Sequence, residues 1–599
     1  MTEQLLISVM LAAPAVGWLL VVAMPARRNT VIAASTGAVG TASAAWIVCS
    51  IAGMIESSVS VSAGRWLEVS PELGLAVNLS FQADQSRCML VLAASLVLLL
   101  RNAGAVSSDN DGRGATALLY SLSIATILAA DLVVLAGLWI LIDCCVVGMH
   151  ADHSQSTGRS RRFLNTTIVL GGSGALLLVA TLMAMARFST SDIATVVSRS
   201  IEDSRVDATT VTAGLSVLFV AAVAVRCAFF PALIWPRTCL RMRPRDAGIV
   251  IALAGVLPGF SLAVAVFPLS AVSSDAFQLL GLLGVLTSFT AVGVALVQND
   301  SDRVGALLSV SAAGLAASGF AAGLSSCGPV AACTLFTQLV AIAVLQRDRI
   351  VFGGGIAVGI AMMVAVTGIG GSNAVLSMIG SSLQGSRNQT GAAASDRLLL
   401  LAWWGILISQ ILWGIAMVKL AMNRSPNAAT TGADAAGRHS VKRSAIASVA
   451  ATIAACIALY GCIVPLNIPA AAGPPIRLLT FGAATPACLL GMVAAWLLMH
   501  AGENARSRVA VGLDSMTRLC HEWIYLEDAV RCGLELPIRG LALLTEICDR
   551  KILGGTSEQG WKNLPARFAS SIEHLRFQPA VYYGLTGVFL VVGLLWSLR

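Results

Sequence analysis

The side chains that could do chemistry in this sequence are a few polar residues set in an apolar background. The fourteen Cys residues form no CxxC pair and no Cys/His spacing of a metal site, and the six His residues are too scattered for a haem or zinc centre. Neither a Rossmann glycine fingerprint nor a P-loop occurs. We therefore expect no metal, cofactor or nucleic acid to bind this chain. What remains is ionisable groups within apolar stretches, where a charge is costly and usually serves a function.

The composition indicates an integral membrane protein. Of 599 residues, 57% are hydrophobic and only 12% are charged, too few charges to cover a soluble surface. Apolar runs near the length that crosses a hydrocarbon core of roughly 30 Å recur along the chain. The clearest runs are Leu5–Met24, Val31–Met54, Ala247–Pro268, Ala276–Gln298, Leu398–Leu420 and Val581–Trp596. The first has no basic residues before it, which favours a retained span over a signal peptide.

Basic residues mark alternate loops and predict the orientation. Each basic loop follows an odd-numbered span, so the positive-inside rule places the N-terminus outside. With about 16 spans, both termini are expected to be periplasmic in a bacterial-type inner membrane. The basic residues are Arg27 and Arg28, then Arg159, Arg161 and Arg162, then Arg237, Arg241, Arg243 and Arg245, and finally Arg438, Lys442 and Arg443.

Two spans look interrupted, at Pro231 and around Gly370. Broken membrane helices persist only where protein or water satisfies the freed backbone groups, so they often line a transport path; a helix end would be the alternative explanation. Between Ala501 and Arg576 charged residues return, with Leu and Ile at helical spacing. This pattern predicts a long amphipathic helix along the membrane surface, followed by a last span.

Several motifs resemble the antiporter-like membrane subunits of the proton-pumping NADH:quinone oxidoreductase, complex I. They are Ala295-Leu-Val-Gln-Asn-Asp300 with Arg303-Val and Val310-Ser311, Arg226-Cys-Ala-Phe-Phe-Pro231 with Trp235, and Leu335-Phe-Thr337. Towards the C-terminus, His521-Glu-Trp-Ile-Tyr-Leu-Glu-Asp528, Ile552-Leu-Gly-Gly555 and Tyr582 are similar to the end of the L subunit, the mitochondrial subunit 5 type.

The resemblance implies an all-α integral membrane fold with about 16 transmembrane helices, two inverted five-helix repeats and a long C-terminal lateral amphipathic helix. The implied domains are N-terminal transmembrane helices with a periplasmic loop (1–110), the antiporter-like core (111–425), peripheral transmembrane helices (426–500), the lateral helix (501–578) and the terminal transmembrane helix (579–599). The lateral helix would bind other membrane subunits of a respiratory complex, and the remaining surface would face the lipid bilayer.

Most positions of the family's proton relay carry other residues here. The family's Glu falls on Ile140, one Lys on Arg226, a His on Val250 or Ile251, another Lys on Asp302, two His on Thr334 and Gln338, and two further Lys on Ile342 and Met378. Ile and Met cannot titrate, and Arg does not readily release a proton. We therefore expect a dry interior without a continuous proton wire.

Asp143 could compensate for the lost Glu. It lies three residues after Ile140, so both side chains are expected on one helix face. It would then pair with Arg226; alternatively, it is solvated at a cytoplasmic helix end. The proton-pathway candidates are Asp143, Arg226 and Asp302.

Three functions remain open from the sequence. The first is an L-type subunit of a respiratory NADH:quinone oxidoreductase, associated with proton translocation coupled to electron transfer, with NADH and quinone chemistry in other subunits. The second is a non-pumping structural paralogue. The third is a membrane subunit of a cation/proton antiporter or of an inorganic-carbon uptake complex.

Overall fold

The computed structural model describes residues 2–351 with short gaps, residues 393–422, and the single positions 375, 379, 490, 491 and 493. The gaps are 25–27, 52, 55–57, 71–74, 103–112, 152–159, 207–209, 231, 233, 240–243, 299 and 323–326. The predicted break at Gly370, Met378, the lateral helix and the terminal span lie outside the described residues, as does nearly all of 426–500.

The described chain is almost entirely helical. Its first half contains α1 (Thr2–Ala23), α2 (Arg28–Ile51), β1 (Ser58–Ser70), β2 (Leu75–Asp84), α3 (Gln85–Asn102), α4 (Arg113–Leu128), α5 (Leu132–Ala151), α6 (Ser160–Phe188), α7 (Ile193–Val206) and α8 (Thr210–Arg226). Next come α9 (Ile234–Cys239), α10 (Pro244–Val250), a π-helical segment (Ile251–Val256), α11 (Leu257–Val266) and a 3-10 turn (Phe267–Ala271). The chain continues through α12 (Ser274–Val297), α13 (Ser301–Ser318), a 3-10 turn (Gly319–Ala322), α14 (Cys327–Val351) and α15 (Ala393–Met422).

Eight segments of the described chain are long and apolar enough to cross a membrane. They are Glu3–Ala23, Arg28–Ser50, Leu132–Met149, Val169–Phe188, Ala247–Ala271, Ser274–Leu296, Asp302–Ala322 and Leu399–Met417. Four shorter apolar helices accompany them. Five of the six apolar runs read from the sequence are confirmed as helices; the sixth, Val581–Trp596, lies outside the described residues. The total of about 16 and the two inverted repeats stay predictions.

The expectation of an all-α fold is wrong in one place, the loop after α2. There β1 and β2 form an antiparallel hairpin in which Val59 pairs with Ala83 and Val61 with Phe81. Ser and Val alternate from Ser58 to Ser62, a period of two that suits a strand with one face buried. Ala83 is fully buried on that side, so the hairpin packs on the helices instead of standing free.

The centre of the bundle is the close contact of α12 with α13. A Cβ atom on Gly284 would lie 2.5 Å from the carbonyl oxygen of Gly314, so only glycine fits there. Small residues of this kind let membrane helices approach backbone to backbone. The Ser288 hydroxyl lies 3.1 Å from that of Ser311 and 2.5 Å from that of Ser409 on α15, which joins three helices through buried hydrogen bonds.

A buried arginine fastens the hairpin to the helices. Arg87, at the start of α3, donates from Nη1 to the carbonyl oxygens of Leu128 (3.4 Å) and Ala129 (3.2 Å), which close α4. Its Nε atom lies 3.3 Å from Oδ2 of Asp84 at the end of β2. Because Arg87 is only 4% exposed, these partners replace water around its charge.

Asp131 fixes the next turn of the chain. This carboxylate is 1% exposed and caps α5 by accepting from the backbone amides of Val133 (2.8 Å) and Val134 (3.2 Å). Its other oxygen accepts from the Ser191 hydroxyl at 2.5 Å, just before α7. The turns α4–α5 and α6–α7 are thereby held against each other beneath the hairpin.

Replacing Arg87 by Met should lower the free energy of unfolding by about 2–4 kcal/mol, because buried carbonyl oxygens and the Asp84 carboxylate lose their donor. Thermal unfolding of the purified protein in detergent measures the change. The matched control is Arg187→Met, which breaks an ion pair with Asp203 at 2.8 Å whose side chains are 44% and 34% exposed. That change should cost about 0–1 kcal/mol. Equal losses in the two variants would contradict the role given to Arg87.

Candidate functional site

The candidate site lies where α8 breaks off. Arg226 is the last residue of α8, and two residues later Ala228 has a φ of 61°, a left-handed conformation that is strained for a residue with a Cβ atom. The amide of Phe229 turns back to the carbonyl oxygen of Ala224 (2.7 Å), and the amide of Phe230 donates to Oγ1 of Thr287 on α12 (2.7 Å). These bonds satisfy backbone groups that the end of the helix leaves free in an apolar interior. Pro231 itself lies outside the described residues.

At the end of α8, Arg226 forms an ion pair with Asp143. Nη1 of Arg226 lies 2.5 Å from Oδ1 of Asp143 on α5, a salt bridge and hydrogen bond between residues 83 positions apart. The Arg226 side chain is 0% exposed and that of Asp143 is 12% exposed. The carboxylate is therefore held inside the bundle and is not the solvated helix-end group that the sequence left as an alternative.

Trp139 completes the contact. It lies one helical turn before Asp143 on α5, and its ring centroid is 4.8 Å from Cζ of Arg226, a cation–π geometry. Arg226 also lies in the last turn of α8, where the carbonyl end of the helix dipole favours a positive charge. The arginine is thus stabilised by a carboxylate, a ring face and a helix terminus together.

Two glycines make room for this arrangement on the helix that packs against it. A Cβ on Gly255, in the π-helical segment, would come within 2.3 Å of the Trp235 ring and 2.9 Å of the Arg226 carbonyl oxygen. A Cβ on Gly259, in α11, would lie 2.6 Å from Sγ of Cys227 and 3.1 Å from Cγ of Arg226. Trp235 is held in turn by a hydrogen bond from Nε1 to the Val225 carbonyl oxygen (3.2 Å). The spacing of four between the glycines was a readable signal of close helix packing that the sequence analysis missed.

The predicted shared face of Ile140 and Asp143 is not found. Ile140 is 45% exposed, whereas Asp143 is 9% exposed, so the two side chains lie in different surroundings. Three residues advance a helix by about 300°, and the remaining angle of roughly 60° is enough to separate a buried from an exposed position at the edge of the bundle. The residue one turn before Asp143 that reaches Arg226 is Trp139.

The other relay positions lie on α10, the π-helical segment and α14. Val250 and Ile251 are fully buried where α10 meets the π-helical segment. Thr334, Gln338 and Ile342 are buried at a spacing of four along α14, on one face. Thr334 donates to its own helix at the Val330 carbonyl oxygen (2.8 Å).

Asp302 lies in the first turn of α13 and is partly exposed. Its backbone amide donates to Oδ1 of Asp300 (3.0 Å), which caps the helix. Within the described residues no ion pair or hydrogen bond joins Asp302 to Asp143 or Arg226. That part of the chain also contains no group of three or more His, Cys, Asp or Glu residues placed to hold a metal ion.

Residues 129–343 match the family model described as NADH:quinone oxidoreductase/Mrp antiporter, transmembrane. The matched segment runs from the turn before α5 to α14 and contains both members of the ion pair. No curated protein sequence matches the chain.

Three solved structures have a similar fold. A chain of the Mrp complex from Dietzia sp. DQ12-45-1b superposes with a TM-score of 0.57 at 16% identity, covering 99% of this chain and 69% of its own length. A chain of respiratory complex I from Thermus thermophilus has a TM-score of 0.57 at 18% identity, covering 81% of this chain and 99% of its own. A chain of the archaeal membrane-bound sulfane sulfur reductase, a respiratory membrane complex, has a TM-score of 0.52 at 15% identity, with coverages of 81% and 99%.

The fold of the described residues is therefore similar to that of chains from these three complexes. Residues 129–343 of this chain correspond to the transmembrane family that NADH:quinone oxidoreductase and Mrp antiporter subunits share.

Replacing Gly255 by Ala should destabilise the protein by about 1–3 kcal/mol, because the new methyl group meets the buried Trp235 ring and a backbone oxygen that cannot yield. Gly293→Ala on α12 is the control, since a Cβ there meets no atom within 4 Å. That variant should be neutral, or more stable by about 0.5–1 kcal/mol through helix propensity. Melting temperatures of both variants, measured in the same detergent, test the close packing around Gly255. An unchanged melting temperature of the Gly255→Ala protein would contradict it.

Proposed function

We propose that this chain is an L-type, antiporter-like membrane-arm subunit of a respiratory NADH:quinone oxidoreductase in which the Arg226–Asp143 pair is a fixed structural bond. NADH and quinone chemistry would belong to other subunits. In this proposal the chain lies in a bacterial-type inner membrane with both termini periplasmic, and the lateral helix predicted at 501–578 binds neighbouring membrane subunits.

The observation that carries the proposal is the burial of the pair. A relay group must alternate between protonated and deprotonated forms, and a guanidinium does not do so at any physiological pH. Arg226 is fully buried, and Asp143 is the carboxylate that compensates its charge. A charge that compensates a permanent neighbour is unsuited to passing a proton on.

The residues at the family's relay positions on α14 also argue against a proton path through this chain. Thr334, Gln338 and Ile342 follow one another on a buried face, and none of them titrates. The relay of the family would continue through this face. The chain would therefore contribute to the assembly and shape of the membrane arm, with proton translocation carried largely by other subunits.

A second candidate is a membrane subunit of a cation/proton antiporter. The similarity to the chain of the Dietzia Mrp complex favours it, since that superposition covers 99% of this chain, against 81% for the complex I chain. The motifs near His521 and Tyr582 favour the L-type assignment.

Purifying the tagged chain from its native membranes in mild detergent separates the two candidates. For a respiratory subunit, NADH:ferricyanide oxidoreductase activity and the flavin-containing subunits should co-purify with it. Recovery of antiporter subunits alone, with no NADH oxidation, would reject the respiratory assignment and support the second candidate. A tagged membrane protein of unrelated fold, purified in parallel, controls for contamination by abundant respiratory enzymes.

Asp143→Asn should reduce assembly strongly while leaving proton pumping per assembled complex unchanged. Removing one partner of a buried ion pair costs about 3–5 kcal/mol, because the remaining charge is uncompensated. The measurement is the ratio of protons translocated to electrons transferred in the reconstituted complex, alongside the amount of complex recovered from the membranes.

The matched control is the double variant Asp143→Asn with Arg226→Met, which removes both charges and should recover much of the lost assembly. A large fall in the proton-to-electron ratio of the Asp143→Asn complex would instead show that this carboxylate conducts protons.

A further inference from the structure

A side chain of α12 attaches the turn after α8 to that helix. The backbone amide of Phe230 donates to Oγ1 of Thr287 (2.7 Å), and Thr287 is fully buried. The Thr287 hydroxyl donates its own hydrogen to the carbonyl oxygen of Leu283 (2.6 Å), one turn earlier on α12. Because a hydroxyl has a single hydrogen, Thr287 acts towards Phe230 as the acceptor, and both of its bonds have a fixed direction.

The amides between Arg226 and Phe230 shape this turn without attaching it to α12. They bond back to carbonyl oxygens of α8: Cys227 to Val223 (2.8 Å), Ala228 to Val225 (3.2 Å) and Phe229 to Ala224 (2.7 Å). The Cys227 thiol lies 3.7 Å from the carbonyl oxygen of Val256, and a thiol is a weak donor. Since these bonds and the left-handed Ala228 leave the turn little freedom, the position of Phe230 also restricts that of Arg226.

α12 is itself held in place at this level of the bundle. Ser288, the residue after Thr287, hydrogen-bonds to Ser311 on α13 and to Ser409 on α15. Consecutive residues lie about 100° apart around a helix, so Thr287 and Ser288 bind different neighbours. Thr287 therefore ties the turn after α8 to a helix that two further helices hold.

We propose that Thr287 is a positioning residue for the Arg226–Asp143 pair. By accepting from Phe230, it sets the turn after α8 where the Arg226 guanidinium reaches the Asp143 carboxylate. The inference rests on the proposed function, in which this pair is a fixed structural bond. It adds that α12, which carries neither member of the pair, takes part in fixing it.

The test measures melting temperatures of the purified full-length chain in detergent. Thr287→Val keeps the shape of the side chain and removes the acceptor, so it should lower the melting temperature by about 3–6 °C. Thr287→Ser keeps the hydroxyl and should recover at least half of that difference. The control is Thr290→Val, which removes a hydroxyl bonded to its own helix at the Leu286 carbonyl oxygen (2.8 Å). It should change the melting temperature by less than about 1 °C.

A second background separates positioning of the pair from a purely local bond. Thr287→Val is repeated in the protein that carries Asp143→Asn and Arg226→Met. With both charges removed, stability no longer depends on their alignment, so Thr287→Val should cost less than half of what it costs in the wild-type background. Independent effects add, so an equal loss in the two backgrounds would overturn the proposal. A Thr287→Ser protein as unstable as Thr287→Val would also overturn it, because the hydroxyl would then not be responsible.

If Thr287→Val yields too little protein to melt, the same variants are compared as fluorescent fusions. The readout is the fraction that elutes as one folded peak in detergent. The same order is expected, and equal losses in both backgrounds again contradict the positioning role.

These measurements need no partner subunit and no proton flux. Equal losses in the two backgrounds would therefore reject the role of Thr287 and leave the proposed function standing. A fall in the proton-to-electron ratio of Asp143→Asn would instead reject the fixed bond itself.

Discussion

The arrangement of this membrane protein depends on one constraint, the need to compensate a permanently charged guanidinium within an apolar bundle. Arg226 cannot be neutralised by losing a proton, so the protein must supply a carboxylate, and Asp143 is the one within reach. That requirement fixes α5 against the end of α8. It also restricts two positions to glycine, Gly255 in the π-helical segment and Gly259 in α11, because a larger residue there would leave no space for the arginine and for Trp235.

Two places in the described chain compensate a buried arginine by similar means. At the hairpin, Arg87 is surrounded by backbone carbonyl oxygens and one carboxylate; at the break, Arg226 has one carboxylate and an aromatic face. Both arginines stand at a helix terminus, where backbone groups have lost their helical partners. At both places a buried charge lies where a helix ends.

The sequence predicts the spans well, because the thickness of a bilayer imposes a minimum apolar length that composition reveals directly. It predicts the residues of the pair less completely. Asp143 and Arg226 can be named from their spacing and from the resemblance, but Ile140 is wrongly placed beside them because the angle between neighbouring faces decides burial. The contacts of Arg87 with Leu128 and Ala129 were not predicted, because the acceptors are backbone oxygens and every residue type has one. The π-helical segment was missed because it is apolar on every side.

The contacts of Arg87 that hold the hairpin also constrain the order in which these segments assemble during synthesis. Arg87 is separated from its acceptors at Leu128 and Ala129 by 41 and 42 residues, and α3 and α4 lie between them. The arginine reaches its final surroundings only once both helices have been inserted. The hairpin can therefore reach these contacts only after the ribosome has passed the α4–α5 turn.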